Sequence, residues 1–178
     1  DSAVEHQSAG TPRPPPLLTM DSDKHVLISG RFDGGDKEKK MREFEKELRP
    51  YMKTYIVEAA AGQRFGPMTD YALFNMFLMI AFCFDNYGAK TNSKYCTYAE
   101  LNYADNRDIP IVAIQHCEKW PPTPVDSDGR RLGAAQNSRI FSEDLVRVVW
   151  YPRAWNAKEL AKEVARMIQN VYPNAGVG

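Results

Sequence analysis

Short apolar runs alternate along this chain with longer segments whose apolar residues recur at helical spacing. A strand that pairs in parallel with the next one needs a connecting helix to return the chain to the starting edge of the sheet. The pattern therefore predicts an α/β domain: a five-stranded parallel sheet in the flavodoxin-like order 2-1-3-4-5, with helices on both faces. The predicted strands are His25–Ser29, Thr54–Val57, Leu78–Phe84, Ile109–Ile114 and Leu145–Tyr151.

Residues that can cap a helix stand before several of the amphipathic segments. Asn156 and Glu159 form a capping-box pattern, in which the first side chain accepts a hydrogen bond from a free backbone N–H of the first turn. Asp36 and Ser93 are predicted to cap two earlier helices in the same way. The predicted helices run from Asp36 to Pro50, over Met68–Phe77, from Ser93 to about Arg107, and from Asn156 to about Val171.

Composition shifts divide the chain into one domain and two tails. Residues 1–23 contain a proline-rich stretch and are predicted to be a linker or a disordered tail. Residues 24–173 form the predicted domain, and 174–178 a short C-terminal tail. Inside the domain, the polar stretch from Lys119 to Arg139 is predicted to be a long loop, and loops of that length are usually functional or mobile.

Charge and hydropathy narrow the classes of partner. The chain has 23 Lys and Arg against 23 Asp and Glu, and this balance disfavours a nucleic-acid binder or a polybasic membrane anchor. The most apolar run, Tyr71–Phe84, is shorter than the roughly 18 residues that a membrane span needs. A buried helix that runs into a buried strand is the better interpretation of this run.

Cysteine and histidine usage predicts neither a disulfide framework nor a metal site. The cysteines are odd in number and form no CxxC motif, and the three histidines are scattered along the chain. Reduced cysteines of this kind are typical of the cytoplasm.

The predicted topology points to a ligand site before any motif is considered. In an open parallel sheet the ligand lies beyond the carboxyl ends of the strands, where the strand order reverses. Here that rule selects the loops 29–36 and 85–93, together with the first turns of the following helix. Helical spacing in that helix puts Cys96, Glu100, Tyr103 and Arg107 on one stripe.

Two charged residues in this region have both a functional and an ordinary interpretation. Arg31 suits bidentate binding of a phosphate or carboxylate, or alternatively pairs with Asp33 or Asp36 on the surface. Glu100 is either a carboxylate of the site or an ordinary glutamate on a helix surface.

Short motifs resemble those of Toll/interleukin-1 receptor (TIR) domains and follow one another in the same order. Val26–Arg31 is similar to the first box of the family, a strand followed by Ser-x-Arg. Phe84–Gly88 and Ser93–Cys96 resemble the plant-type runs Phe-Ser-x-Asn-Tyr-Ala and Ser-Lys-Trp-Cys, with Tyr95 in place of the tryptophan. Glu100-Leu101 resembles the Glu-Leu pair that carries the catalytic glutamate of TIR enzymes.

The resemblance extends from about His25 to Tyr172. Val57-Glu58 with Gly62 and Phe65 is similar to the loop after the second strand of an animal TIR enzyme, and Trp150 or Trp155 stands for the third box. One more residue separates Cys96 from Glu100 than in the plant pattern.

The resemblance implies an enzyme that cleaves the bond between nicotinamide and ribose in NAD+, in immune or cell-death signalling. It releases ADP-ribose or a cyclic isomer, and NAD+ is its substrate, with no cofactor. Glu100 is then the catalytic residue. The implied substrate-binding residues are Ser29, Arg31, Phe32, Phe65, Tyr95 and Cys96. Other TIR domains are the implied protein partners, through a self-association loop that includes Gly62, Arg64 and Phe65.

Three other functions remain open at this point. A TIR scaffold that signals only by self-association would share the fold but needs no acid at position 100. A response-regulator receiver would use Asp85 as phospho-acceptor, but it also needs a lysine after the fifth strand, where this chain has Tyr151–Ala154. A nucleoside deoxyribosyltransferase is the third, because Thr97–Ala104 resembles the pattern of that family and also puts Glu100 at a ribosyl carbon.

Overall fold

The computed structural model of the chain describes residues 24–56 and 66–173. The predicted tails 1–23 and 174–178 lie outside the described residues, and so do Gly62, Arg64 and Phe65 of the predicted self-association loop.

The strands form one five-stranded parallel sheet in the order β2-β1-β3-β4-β5, which confirms the predicted topology. Both β1 and β4 are buried along their whole length, as expected for inner strands covered on both faces. Because β1 lies between β2 and β3, the strand order reverses beside its carboxyl end. The strands are β1 His25–Ser29, β2 Thr54–Tyr55, β3 Met76–Cys83, β4 Ile111–Gln115 and β5 Arg147–Val149.

Helices pack against both faces of the sheet, around two apolar clusters. On one face α1 and α5 contribute residues such as Phe44 and Val164 to the first cluster. On the other face α2, α3 and α4 contribute residues such as Leu73, Leu101 and Ile140 to the second. The helices are α1 Asp36–Leu48, α2 Gly66–Phe74, α3 Thr97–Asn106, α4 Leu132–Ile140 and α5 Ala157–Val171. Among the described residues, no helix combines the length and the apolar character needed to cross a membrane.

The boundary between α2 and β3 corrects the predicted one. The helix ends at Phe74, and the strand begins at Met76 and ends at Cys83. The chain is apolar on both sides of this boundary, so residue periodicity does not mark the change from helix to strand.

Two of the three predicted caps are wrong. The side chain of Asn156 accepts a hydrogen bond from the backbone N–H of Glu159 at 3.0 Å, as predicted. By contrast, Asp36 is the first residue of α1 and pairs with Lys40, while Gly35 takes the cap position. Ser93 lies in the turn before α3, where its hydroxyl accepts a hydrogen bond from the N–H of Tyr95.

The polar stretch from Lys119 to Arg139 contains all but the last residue of helix α4 and is not one long loop. Asp126 is buried, and its carboxylate accepts hydrogen bonds from the backbone N–H groups of Lys90, Leu132 and Gly133. These three bonds anchor the beginning of α4 to the loop after β3. The stretch therefore fixes one wall of the region beyond the carboxyl ends of the strands.

Candidate active site

A cavity of about 440 Å³ lies at the point where the strand order reverses. Its walls come from the loop after β1, from helix α2, and from the segment that leads into α3. This is the position that the topology rule selects for a ligand. The lining residues are Gly30, Arg31, Phe32, Thr69, Ala89, Thr91, Ser93, Tyr95, Cys96, Thr97 and Glu100.

Glu100 contributes a carboxyl group to this cavity while being only 6% exposed. It lies in the first turn of α3, where the positive end of the helix dipole favours a negative charge. Burial nevertheless dominates and raises the pKa of Glu100 from its ordinary 4.5 to about 8, an increase that a hydrogen bond from Ser29 partly offsets. No cation forms an ion pair with Glu100 among the described residues. The alternative of an ordinary surface glutamate is therefore wrong.

Ser29 lies beneath the cavity. It is fully buried at the end of β1, and its hydroxyl donates to Oε1 of Glu100 at 3.4 Å. The hydroxyl of Tyr87 lies 2.8 Å from the same Ser29 oxygen. Ser29 is not among the cavity-lining residues. The structure thus shows Ser29 in contact with Glu100 and Tyr87, and its expected contact with a substrate stays a prediction.

Arg31 and Phe32 line the cavity on the side of β1. Arg31 is exposed, and it forms neither of the predicted pairs with Asp33 and Asp36 in the part of the chain that the structure describes. Its guanidinium is therefore available to an anionic group at the cavity mouth. Phe32 is half-buried, packs partly against the core and lies under the guanidinium of Arg42.

Tyr95 and Cys96, both expected to bind substrate, line the opposite wall of the cavity. Cys96 takes the cap position of α3 and carries a free thiol. Tyr95 borders both this cavity and a second groove between α2 and α3. The four residues predicted to share one face of this helix line two different pockets. Cys96 and Glu100 line the cavity, whereas Tyr103 and Arg107 line the groove.

Sequence reasoning did not find Thr69 and Thr97. Thr69 of α2 lines the cavity, is 2% exposed, and its hydroxyl oxygen has no hydrogen-bond partner among the described residues. Thr97 accepts a hydrogen bond from the N–H of Gly88, whose φ of 86° suits glycine. That bond fixes the start of α3, and with it Glu100. No sequence signal distinguishes Thr69 from other helix-surface threonines.

No group of three or more His, Cys, Asp or Glu within residues 24–56 and 66–173 is placed to hold a metal ion.

No protein-family model matches the chain, and no curated protein sequence is significantly similar to it.

Proposed function

We propose that this domain is an NAD+ nucleosidase of the TIR type, in which Glu100 is the catalytic carboxylate. The observation that carries the proposal is a buried carboxyl group without a cationic partner among the described residues, in a cavity at the strand-order reversal. Such a carboxyl is mostly neutral until a positive charge enters the cavity. A substrate that carries a positive charge next to a sugar matches this electrostatic requirement.

The pyridinium ring of NAD+ supplies that charge, and it needs no general acid. When the bond between ribose C1′ and the ring nitrogen breaks, its electron pair neutralises the ring, and nicotinamide departs. The ribosyl group becomes an oxocarbenium-like cation, as in glycoside hydrolysis. An ionised Glu100 stabilises this cation, because a carboxylate in a low-dielectric cavity interacts strongly with a nearby charge.

Water then attacks C1′ and loses a proton, so that NAD+ and water give nicotinamide, ADP-ribose and a proton. Glu100 is suited to accept this proton, since its pKa of about 8 makes the carboxylate a stronger base than an ordinary glutamate. Attack by a nitrogen of the adenine ring in place of water would give a cyclic isomer.

The remaining cavity residues fit the rest of the dinucleotide. The exposed guanidinium of Arg31 suits the pyrophosphate, to which it can donate two hydrogen bonds. Phe32 and Tyr95 provide aromatic surfaces on opposite walls for the rings.

Self-association is part of the proposal. By the TIR resemblance, the loop that includes Gly62, Arg64 and Phe65 packs against another copy of the domain. Helix α2 follows this loop directly in the chain and contributes Thr69 to the cavity. Specific activity is therefore expected to rise with protein concentration, and Gly62→Pro to suppress the rise. A specific activity that is flat from nanomolar to high micromolar enzyme would count against this part alone. The three free cysteines support a reducing, cytoplasmic location.

A second candidate, transfer of a deoxyribosyl group between bases, is favoured by the neutral form of Glu100. A protonated carboxyl can donate its proton to a leaving base, which neutral nucleosides require and NAD+ does not. A chromatographic panel of NAD+ and deoxynucleosides, each with and without an acceptor base, separates the two activities. If the protein releases nicotinamide from NAD+ and does not act on deoxynucleosides, the result supports the nucleosidase. If it exchanges bases on deoxynucleosides and does not cleave NAD+, the deoxyribosyltransferase becomes the assigned function.

A further inference from the structure

Three buried oxygen atoms form a chain that leads from the protein interior to Glu100. The Tyr87 hydroxyl lies 2.8 Å from the Ser29 hydroxyl, and the Ser29 hydroxyl donates to Oε1 of Glu100 at 3.4 Å. Tyr87 and Ser29 are 1% and 0% exposed, so water does not compete for these hydrogen bonds. The chain joins the loop after β3, the end of β1 and the first turn of α3.

The direction of these hydrogen bonds follows from counting protons. An ionised Glu100 can only accept hydrogen bonds, so in that form Ser29 uses its single proton on Oε1 of Glu100. The Ser29 oxygen must therefore accept from Tyr87 in their shared bond. Tyr87 has no other acceptor for its hydroxyl among the described residues, and burial raises the pKa of this phenol, so it keeps its proton. When Glu100 is ionised, donation thus runs from Tyr87 to Ser29 to Glu100.

We propose that Tyr87 and Ser29 are positioning residues that hold Oε1 of Glu100 and leave Oε2 as its reacting oxygen. The assignment of Oε2 as the reacting oxygen rests on the proposed function. The hydrogen-bond chain itself does not depend on the substrate. Oε2 makes no hydrogen bond to a described residue and is not among the fully enclosed, unpartnered polar atoms. With Oε1 of the ionised carboxylate engaged by Ser29, Oε2 is the oxygen left to interact with a substrate.

The same chain stabilises the ionised form of Glu100. Two hydroxyl groups that donate in series polarise each other, and the final bond strengthens when its acceptor becomes a carboxylate. Removing the Tyr87 hydroxyl leaves Ser29 as a weaker donor, so the carboxylate loses stabilisation and the pKa of Glu100 rises further.

Other titratable groups near Glu100 do not replace this donor chain. Arg31 approaches from the loop after β1 but is exposed to solvent, which weakens its effect. Tyr95 and Cys96 line the opposite wall, and neither is hydrogen-bonded to Glu100 among the described residues. Cys83 of β3 is close enough to influence Tyr87 electrostatically, and burial raises the pKa of its thiol, so that it is neutral.

The test is the pKa of Glu100 in the substrate-free protein, measured by NMR of ¹³C-labelled glutamate carboxyl groups with Glu100→Gln assigning the resonance. Tyr87→Phe keeps the buried ring and is expected to raise this pKa by about half a unit, because one polarising hydrogen bond is lost. Ser29→Ala removes the direct donor and is expected to raise it by about one unit. Tyr51→Phe is the matched control, because Tyr51 is half-buried and its hydroxyl makes no hydrogen bond among the described residues.

A pKa of Glu100 that is unchanged or lowered in both Tyr87→Phe and Ser29→Ala overturns the proposal. If one variant fails to fold, the other decides the question. The pH profile for NAD+ cleavage adds a second readout: Tyr87→Phe is expected to shift the rising limb of kcat/KM upward by the same amount and to leave the KM for NAD+ nearly unchanged. Because the NMR measurement needs no substrate, failure of NAD+ cleavage in the wild type would refute the nucleosidase while leaving the donor chain testable.

Discussion

Replacing Glu100 by glutamine is expected to stabilise the domain increasingly as the pH rises. The folded protein holds the pKa of this carboxyl at about 8, whereas unfolding returns it to about 4.5. Between these two pH values the folded state keeps a proton that the unfolded state has released, so the free energy of unfolding of the wild type falls as pH increases. The glutamine side chain does not titrate, so the free energy of unfolding of the variant does not fall with pH for this reason.

The size of the effect follows from the two pKa values. Each pH unit between them changes the free energy of unfolding by about 1.4 kcal/mol, which amounts to about 5 kcal/mol in all. In the wild type, the proton that Glu100 retains on folding contributes its full stabilisation below pH 4.5. This stabilisation declines as the pH rises and is lost once the pH exceeds about 8. We therefore expect the stability advantage of Glu100→Gln to grow by about 3–5 kcal/mol between pH 4 and pH 9.

Urea unfolding followed by tryptophan fluorescence, repeated across this pH range, measures the difference. The exposed Glu143, which forms no ion pair or hydrogen bond among the described residues, provides the matched control. The stability of Glu143→Gln relative to the wild type is expected to stay nearly constant. A growth of less than about 1 kcal/mol for Glu100→Gln would refute the argument that Glu100 is buried without a cationic partner.

Three further predictions concern the site and its supports. The kcat/KM for NAD+ is expected to rise with pH and to reach a plateau above an ionisation near pH 8, because only the carboxylate form of Glu100 stabilises the developing cation. A profile that is already flat from pH 6 would contradict this expectation. Arg31→Ala is expected to raise the KM for NAD+ more than it lowers kcat in steady-state assays, whereas a loss confined to kcat would indicate a transition-state role. Asp126→Ala is expected to lower the free energy of unfolding in urea by about 3 kcal/mol or more, because three backbone N–H groups lose their acceptor. The control variant Asp128→Ala, at an exposed position, is expected to lower it far less.

The sheet was predictable because it depends on coarse patterns. Short apolar runs separated by amphipathic segments require parallel strands with helical crossovers, and strand order then places the cavity. The position of Glu100 beside this cavity was predictable for the same reason. Its position in the first turn of α3 follows from that helix beginning at Thr97.

The features that were missed depend on tertiary contacts between polar groups. Helix α4 buries Gln136 and Asn137, whose side chains donate to the backbone oxygens of Tyr98 and Tyr87, so its inner face is polar and resembles a loop in sequence. The start of α3 was misjudged because the hydrogen bond between Gly88 and Thr97 fixes it, not the capping potential of Ser93.

The contacts of the Ser29 hydroxyl were not predicted, for a related reason. Every residue of β1 is buried, so side-chain polarity does not reveal which of them faces the cavity. Only the tertiary structure shows that its hydroxyl lies within hydrogen-bond distance of both Glu100 and Tyr87.

The most direct test of the central claim is the rate of nicotinamide release from NAD+ by the wild type and by Glu100→Gln. The assay is run at pH 9, where the wild-type carboxyl is ionised, at high protein concentration and with chromatographic detection. Glutamine preserves the shape of the side chain but carries no negative charge, so the rate is expected to fall by far more than about tenfold, a factor equivalent to 1.4 kcal/mol of barrier. A variant that retains more than about a tenth of the wild-type rate would contradict the assignment of Glu100 as the catalytic residue.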